Sequence, residues 1–329
     1  MPENSLHKPL QLPSLQHMLR HSGRKLAALP PAYAALMLLL AVAAILRPQL
    51  LSPLLLLMIL RQSAPLGLAV IGQALVVRCR SLDLSSGGVI AVVSYLLTSG
   101  AWNLPLPLAL LVCLLFGAAV GALNGWLITR IRASSVIVTM AMSMILSGTV
   151  IALSQFRAPG PAPELLRTLA STKFWGLPFM ALFWLSLMLP LAWFLRHSVW
   201  GRVIDAGGAN PRAAELSGLP YVRAVFAAHV ISGLSSALSS LMLIGFVGMG
   251  NVTLGQDLAL NSLAAVILGG VSFGNGRGGM LGPAVAACML AFLFNLLTSL
   301  GLGEAGRLML QGAIIAAAAI VYSLRNEVS

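Results

Sequence analysis

The chain has 329 residues, 58% of them hydrophobic and only 9% charged, with a mean hydropathy of +0.93. Soluble domains carry roughly 25% charged residues, and the apolar residues here come in long blocks. A water-soluble globule is therefore excluded, and an all-α, polytopic integral membrane protein is expected. The net charge of +12 comes from 20 basic residues set against only 8 acidic ones. An excess made by missing acids on a lipid-facing chain speaks for control of topology, not for nucleic-acid binding.

Residues 1–25 form a polar tail whose basic residues Arg20, Arg24 and Lys25 stand just before the first apolar block. No small-residue cleavage site follows a short apolar core, so a removable signal peptide is not expected. The remaining residues, 26–329, read as one transmembrane domain. A crossing helix needs about 20 apolar residues. Candidates in chain order are Leu26–Leu46, Leu57–Val77, Ser85–Ser99, Leu104–Thr129, Ala133–Leu153, Leu177–Leu195, Val222–Gly245, Leu258–Phe273, Leu281–Leu300 and Leu308–Leu324, about ten in all. The third and eighth are short and flanked by Gly-rich polar sequence, which suits tilted, partial or re-entrant segments.

Lys and Arg resist translocation and so set orientation. With the N-terminus inside, Arg47, Arg157, Arg167, Lys173 and Arg307 lie outside and Arg61 falls near the outer end of the second crossing. The other 14 of the 20 Lys and Arg lie inside (20 − 6), so both termini are expected in the cytoplasm.

After the second crossing comes Ser81-Leu82-Asp83-Leu84-Ser85-Ser86-Gly87-Gly88, a carboxylate and hydroxyls interrupting an apolar stretch. It fits a broken helix lining a polar pathway. The simpler reading, which the sequence by itself favours, is a cytoplasmic turn with Asp83 as helix cap and Arg78 or Arg80 neutralising it. Gly117, Gly121 and Gly125, four residues apart, form a groove for close helix packing. Residues 154–176 read as a Pro-rich external loop.

The longest internal loop, 196–221, contains Gly207-Gly208 as a flexible lead-in and Asn210-Pro211 as an N-cap with proline in the first helical position. Arg212-Ala213-Ala214-Glu215-Leu216-Ser217 can make about two turns, and Gly218 supplies a left-handed stop. Such a helix either docks onto something cytoplasmic or merely joins two spans. A faint similarity between Gly117–Ala122 and Gly282–Ala287 suits an inverted repeat of spans 2–5 and 7–10.

Gly274–Gly279 contains a formal G-x-G-x-x-G, but no βαβ unit surrounds it and the next acid is Glu304, so it reads as a tight turn, with Gly269 and Gly270 as packing residues. Cys79, Cys113 and Cys288 have neither disulfide nor zinc spacing. No histidine pairs with Glu in metal-ligand spacing, and no Walker A sequence is present. His229, alone on an apolar helix, fits a hydrogen bond to a neighbouring helix. Asp83 and Asp257 stand at span edges, which argues against an ion-coupled stand-alone carrier. No catalytic, metal or cofactor site of its own is expected.

Taken in order, these segments resemble the permease subunits of bacterial ABC importers for monosaccharides, of the ribose, xylose, galactose and autoinducer-2 type, distantly similar to branched-chain amino acid permeases. The resemblance rests on Ser81 to Gly87, matching a Gly-Ile-Asp-Leu-Ser-Val-Gly signature; on Gly207 to Leu219; on Ala265 to Gly278; and on Phe294-Asn295-Leu296-Leu297. It runs from about residue 55 to the end. Ser81 and Ser86 depart from the signature, and Ala133-Ser134-Ser135-Val136 stands where many relatives place proline or phenylalanine. The resemblance implies a pair of permease subunits (a homo- or heterodimer), two cytoplasmic ATP-binding subunits and a periplasmic or extracellular solute-binding protein. It makes Gly208, Asn210, Arg212, Ala213, Ala214, Glu215, Ser217 and Gly218 the ATPase-coupling segment. A sugar needs hydrogen-bonding walls, so Asp83, Ser85, Thr139 and Asn295 become pathway residues. A permease of the same architecture for amino acids or nucleosides is the runner-up.

Overall fold

The computed structural model describes residues 30–100, 104–155, 159–274, 276 and 278–303, and beyond these 305, 306, 308–310, 312, 313 and 316. The 1–25 tail lies outside the described residues, as does most of the tenth predicted crossing. The regular secondary structure of the described residues is helical apart from one hairpin of two two-residue strands.

In order the helices are α1 (Pro31–Leu46), α2 (Pro53–Arg78), α3 (Ser86–Thr98), α4 (Leu106–Arg130), α5 (Ser135–Ser154), α6 (Glu164–Ser171), α7 (Phe179–His197), α8 (Val199–Ala209), α9 (Pro211–Leu216), α10 (Tyr221–Val247), α11 (Gln256–Leu268) and α12 (Leu281–Ser299). Strands β1 (Lys173–Phe174) and β2 (Leu177–Pro178) pair antiparallel between α6 and α7. Helices α2, α4, α5, α7, α10 and α12 are long and apolar enough to cross a bilayer. The apolar helices α1, α3 and α11 are shorter.

Proline punctuates the starts. Pro31, Pro53 and Pro211 occupy the first turn of their helices, where the missing N–H costs nothing. At the centre, α2 and α10 pack on each other. Helix α10 also lies against α4 and α3, while α2 lies against α12 and α11. Lipid tails are as apolar as leucine, so helices associate in a bilayer through close backbone approach and interhelical hydrogen bonds. Both are present. A Cβ on Gly72 of α2 would meet the Ser232 backbone of α10. Ser239 Oγ donates to the Pro65 carbonyl at 2.7 Å, and Ser240 Oγ to the Ile90 carbonyl at 2.8 Å. Gly117 and Gly233 face each other across α4 and α10, a Cβ on either striking the other's carbonyl. Gly121 lies on the His229 carbonyl and Gly125 against Phe226. Gly269 is held against Gly282 and Pro283, and Gly270 adopts a positive φ beside Pro30.

Two expectations need correction. Residues 154–176 are not simply a loop. They contain α6, whose Leu166, Leu169 and Ala170 recur at helical spacing; Leu166 and Ala170 are buried, and the helix packs on α10. Gly160 N–H donates to the Thr98 carbonyl at 2.7 Å and Ala162 N–H to the Gly248 carbonyl at 3.0 Å, stitching this segment to the end of α3 and the start of the α10–α11 link. Gly207-Gly208 is also not a flexible lead-in. Both glycines are helical, in α8, and buried, because neighbouring chain passes too close for a side chain.

Candidate functional site

Helix α3 has 13 residues, about 20 Å at 1.5 Å per residue, too short for a hydrocarbon core of about 30 Å. The chain before it, residues 79–85, is non-helical yet largely buried, with Ser81, Asp83 and Ser85 all enclosed. Irregular backbone at membrane depth is stable only where protein surrounds it and its polar groups are met.

Most of them are met here, by three helices. Tyr221 Oη, at the start of α10, donates to the Cys79 carbonyl at 2.7 Å. Ser81 Oγ and His229 Nε2 of α10 are hydrogen-bonded at 2.8 Å. Leu82 N–H donates to Ser135 Oγ of α5 at 3.2 Å, and Thr139 Oγ1 donates to the Leu82 carbonyl at 3.3 Å. Asp83 Oδ1 accepts from the Ser85 N–H at 2.9 Å and from the Ser85 hydroxyl at 2.6 Å, and Asn124 Nδ2 of α4 donates to Ser85 Oγ at 2.9 Å. Asp83 therefore closes an Asx turn just ahead of α3, where the helix dipole favours a negative charge. Asp83 Oδ2, Ser86 Oγ, Asn124 Oδ1, His229 Nδ1 and the Gln73 amide are buried and make no hydrogen bond among the described residues. A fully buried carboxylate inside a helix bundle departs from the simple surface turn that the sequence favours. Arg78 does not neutralise it; the Arg78 guanidinium forms its ion pair with Asp205 of α8.

The start of α11 has the same construction. Asn251 Oδ1 accepts from the Thr253 N–H and hydroxyl, each at 2.9 Å, ahead of another 13-residue helix. Asp83-Leu84-Ser85-Ser86-Gly87 and Asn251-Val252-Thr253-Leu254-Gly255 share one pattern of acceptor, apolar residue, hydroxyl and glycine. A Cβ on Gly87 would touch the Gly255 carbonyl.

Of the four residues expected to line a pathway, Asp83, Ser85 and Thr139 come together, whereas Asn295 stands apart. Its amide donates to Gln62 Oε1 at 2.7 Å and to the Ala291 carbonyl at 2.8 Å. Gln62 lies 16 residues before Arg78 on α2, about 24 Å along the axis. Beside Gln62 a cavity of about 250 Å³ is lined by Asp257, Asn261 and Phe294 among others. A larger one, about 750 Å³, opens below the broken segment between Arg80, Ser81, Thr129, Arg132, Ser135, Arg212, Glu215 and Tyr221. The sequence reading missed Gln73, Asn124 and the partnerships of Arg78 and Tyr221. Lone amides on apolar helices were the available signal for the first two.

Helix α9 is built as a capped unit. Asn210 Oδ1 accepts from the Ala213 N–H at 3.1 Å, and Gly218 turns left-handed at φ 73°. The Leu219 N–H reaches the Ala214 carbonyl and the Gly218 N–H the Glu215 carbonyl, each at 3.0 Å, closing a Schellman end. Ala214 faces inward; Asn210, Arg212, Ala213, Glu215, Ser217 and Gly218 are exposed, and Leu216 is 83% exposed. Gly208, buried in α8, lies on the Arg78 carbonyl and on Gly276.

The chain is similar to the autoinducer 2 import system permease protein LsrD of Salmonella typhimurium, 27% identical over 260 residues, covering 76% of this chain and 77% of that protein. It is 30% identical over 295 residues to the fructose import permease protein FrcC of Rhizobium meliloti, covering 86% and 81% of the two. Against the ribose import permease protein RbsC of Haemophilus influenzae it is 26% identical over 294 residues, covering 88% and 91%. No solved structure matches the chain. The family model described as branched-chain amino acid transport system / permease component matches residues 55–319, most of the helical bundle and both polar breaks. The chain therefore belongs to that family: it is a multi-pass permease component of an ABC importer, a transport subunit and not an enzyme.

Proposed function

We propose that the chain is one of two permease subunits in a bacterial inner-membrane importer for a sugar or sugar-like solute, driven by ATP-binding subunits that seat on α9. The observation that carries this is α9 itself. A two-turn helix capped at both ends has no internal core, yet it presents Arg212, Glu215 and an almost bare Leu216 to the outside. An apolar residue so placed, beside charged neighbours and next to the crossing helix α10, is suited to a groove on a partner. The named relatives import a fructose, a ribose and an autoinducer, and the buried hydroxyls and amides around Asp83 offer hydrogen bonds of the kind a polyol needs.

In this reading both termini and α9 face the cytoplasm, about ten segments cross or enter the bilayer, and a solute-binding protein delivers the cargo from outside. The paired short helices α3 and α11, each behind an Asx turn, support an inverted repeat of spans 2–5 and 7–10. So does the matching placement of α4 and α3 on α10 and of α12 and α11 on α2. Asp83, Ser85, Thr139, Ser81, Asn124 and His229 form one polar stretch of the route, with Asn295 at a separate level. ATP binding favours one packing of the helices and ATP release the other, so access switches sides.

The test is co-purification with the partner ATPase and uptake in reconstituted vesicles. Wild-type protein should retain the ATPase through a detergent column and accumulate labelled ribose or fructose, whereas Leu216→Asp should lose the ATPase. Failure of the wild type to hold any ATPase, or accumulation of leucine in place of the sugars, would overturn respectively the docking and the substrate reading.

A further inference from the structure

Docking on α9 does no work unless its movement reaches the residues that gate the route, and the fold shows one place where it can. From the structure we infer that Asp205 and Tyr221 are positioning residues that hitch the α8–α9 segment to the broken segment 79–85, so that a displacement of the docking helix is delivered to the start of α3. This inference rests on the assignment of α9 as the ATPase seat.

Three independent contacts converge on two consecutive residues. The Arg78 guanidinium, 6% exposed at the last turn of α2, pairs with Asp205 of α8, whose side chain is 49% exposed. The Tyr221 hydroxyl, one residue past the Leu219-Pro220 link from α9, donates to the carbonyl of Cys79. Gly208 lies so close to the Arg78 carbonyl and to Gly276 that a Cβ would collide with both, and Gly207 lies equally close to the Tyr221 ring. The segment flanking α9 on both sides is thus clamped to residues 78 and 79. What lies beyond the clamp makes it more than a strut. The next residues are not helical, and their polar groups hold onto α10 through Ser81–His229, onto α5 through Leu82 with Ser135 and Thr139, and onto α4 through Ser85–Asn124. A pull on Cys79 is passed to three crossing helices and to the Asx turn ahead of α3, because a chain of tight hydrogen bonds and packed backbone yields by switching between arrangements and not by stretching. A surface loop helix with no such role needs neither a buried arginine nor a tyrosine hydroxyl aimed at the carbonyl beside a helix break.

The experiment uses the assembled importer in vesicles, with Ala133→Cys as a reporter at the mouth of the 750 Å³ cavity. A charged maleimide reports its accessibility without nucleotide and after trapping with ATP and vanadate. In the otherwise native complex the labelling rate should change about threefold or more between the two conditions. That change corresponds to at least about 0.7 kcal/mol, taking tenfold as 1.4 kcal/mol. With Tyr221→Phe, which keeps the ring on Gly207 and removes only the hydroxyl, or with Asp205→Asn, the change should shrink to nothing. The ATPase should still co-purify and trap nucleotide, and Asp205→Glu should restore the change. A merely structural role would lower yield and nucleotide trapping together, and that outcome overturns the inference, as does a reporter change that survives both substitutions. If the native complex itself binds no ATPase, the seat on α9 is wrong. If it binds and traps nucleotide while the variants behave as wild type, the seat stands and the hitch falls.

Discussion

Asp83 and Ser85 show how two residues hold a helix break inside a helix bundle. The serine hydroxyl donates to Asp83 and accepts from Asn124, so its removal leaves a carboxylate oxygen and an amide hydrogen short of partners. A buried polar group left unsatisfied costs roughly 1–3 kcal/mol, and Ser85→Ala should lower the melting temperature in detergent by several degrees, read by a thermal-shift assay. Ser85→Thr, which keeps the hydroxyl, should lose much less. Next to the break, Cys79 is buried, with 2% of its surface exposed. A thiol closed off from solvent is inert to reagents that attack exposed thiolates. Cys79 should therefore resist maleimide at neutral pH and react only after denaturation, as peptide mass spectrometry would report. The sequence marks Asp83 and Ser85 as unusual. It does not tell whether they face water or protein, since that depends on which helices close around them.

At the scale of elements, contact between α4 and α10 is backbone to backbone along Gly117, Gly121 and Gly233. Overpacking a soluble core costs typically 1–3 kcal/mol; here the obstacle is a main-chain carbonyl, which cannot change rotamer. Gly121→Leu should sharply reduce the yield of monodisperse protein, followed by fluorescence-detected size exclusion. Gly148→Ala, on α5 with nothing near its added Cβ, should leave yield unchanged. The glycine spacing, the caps of α9 and the shortness of α3 and α11 were all legible in the chain, because each is a local pattern of 3 to 13 residues. Helix α6 was not. The prolines just ahead of it and its polar residues read as loop, while its apolar stripe is only three residues long and gains meaning from α10 beneath it.

Across the whole molecule, large apolar side chains such as Ile45, Met144, Ile145 and Trp193 stand exposed around the perimeter, and the centre is rich in small and polar residues. That inversion suits a solvent that is itself apolar. The hairpin tip at Trp175, fully exposed and at positive φ, and the bare Leu216 mark opposite faces in the proposed orientation. In oriented vesicles a cysteine replacing Leu216 should react with an impermeant reagent only from the cytoplasmic side, and one replacing Trp175 only from the outer side. Labelling of both from one side would reject that topology.

By itself the sequence determined the solvent and the approximate bounds of the crossing-length helices, since hydrophobic length and end signals are properties of consecutive residues. The motif order likewise pointed to the family. Only the tertiary structure decided that Arg78 serves Asp205 and not Asp83, that Tyr221 reaches Cys79, and that Asn295 belongs to another level of the bundle. These are choices among partners 127, 142 and 233 residues apart. No local pattern encodes them, because they follow from how each helix is rotated against its neighbours.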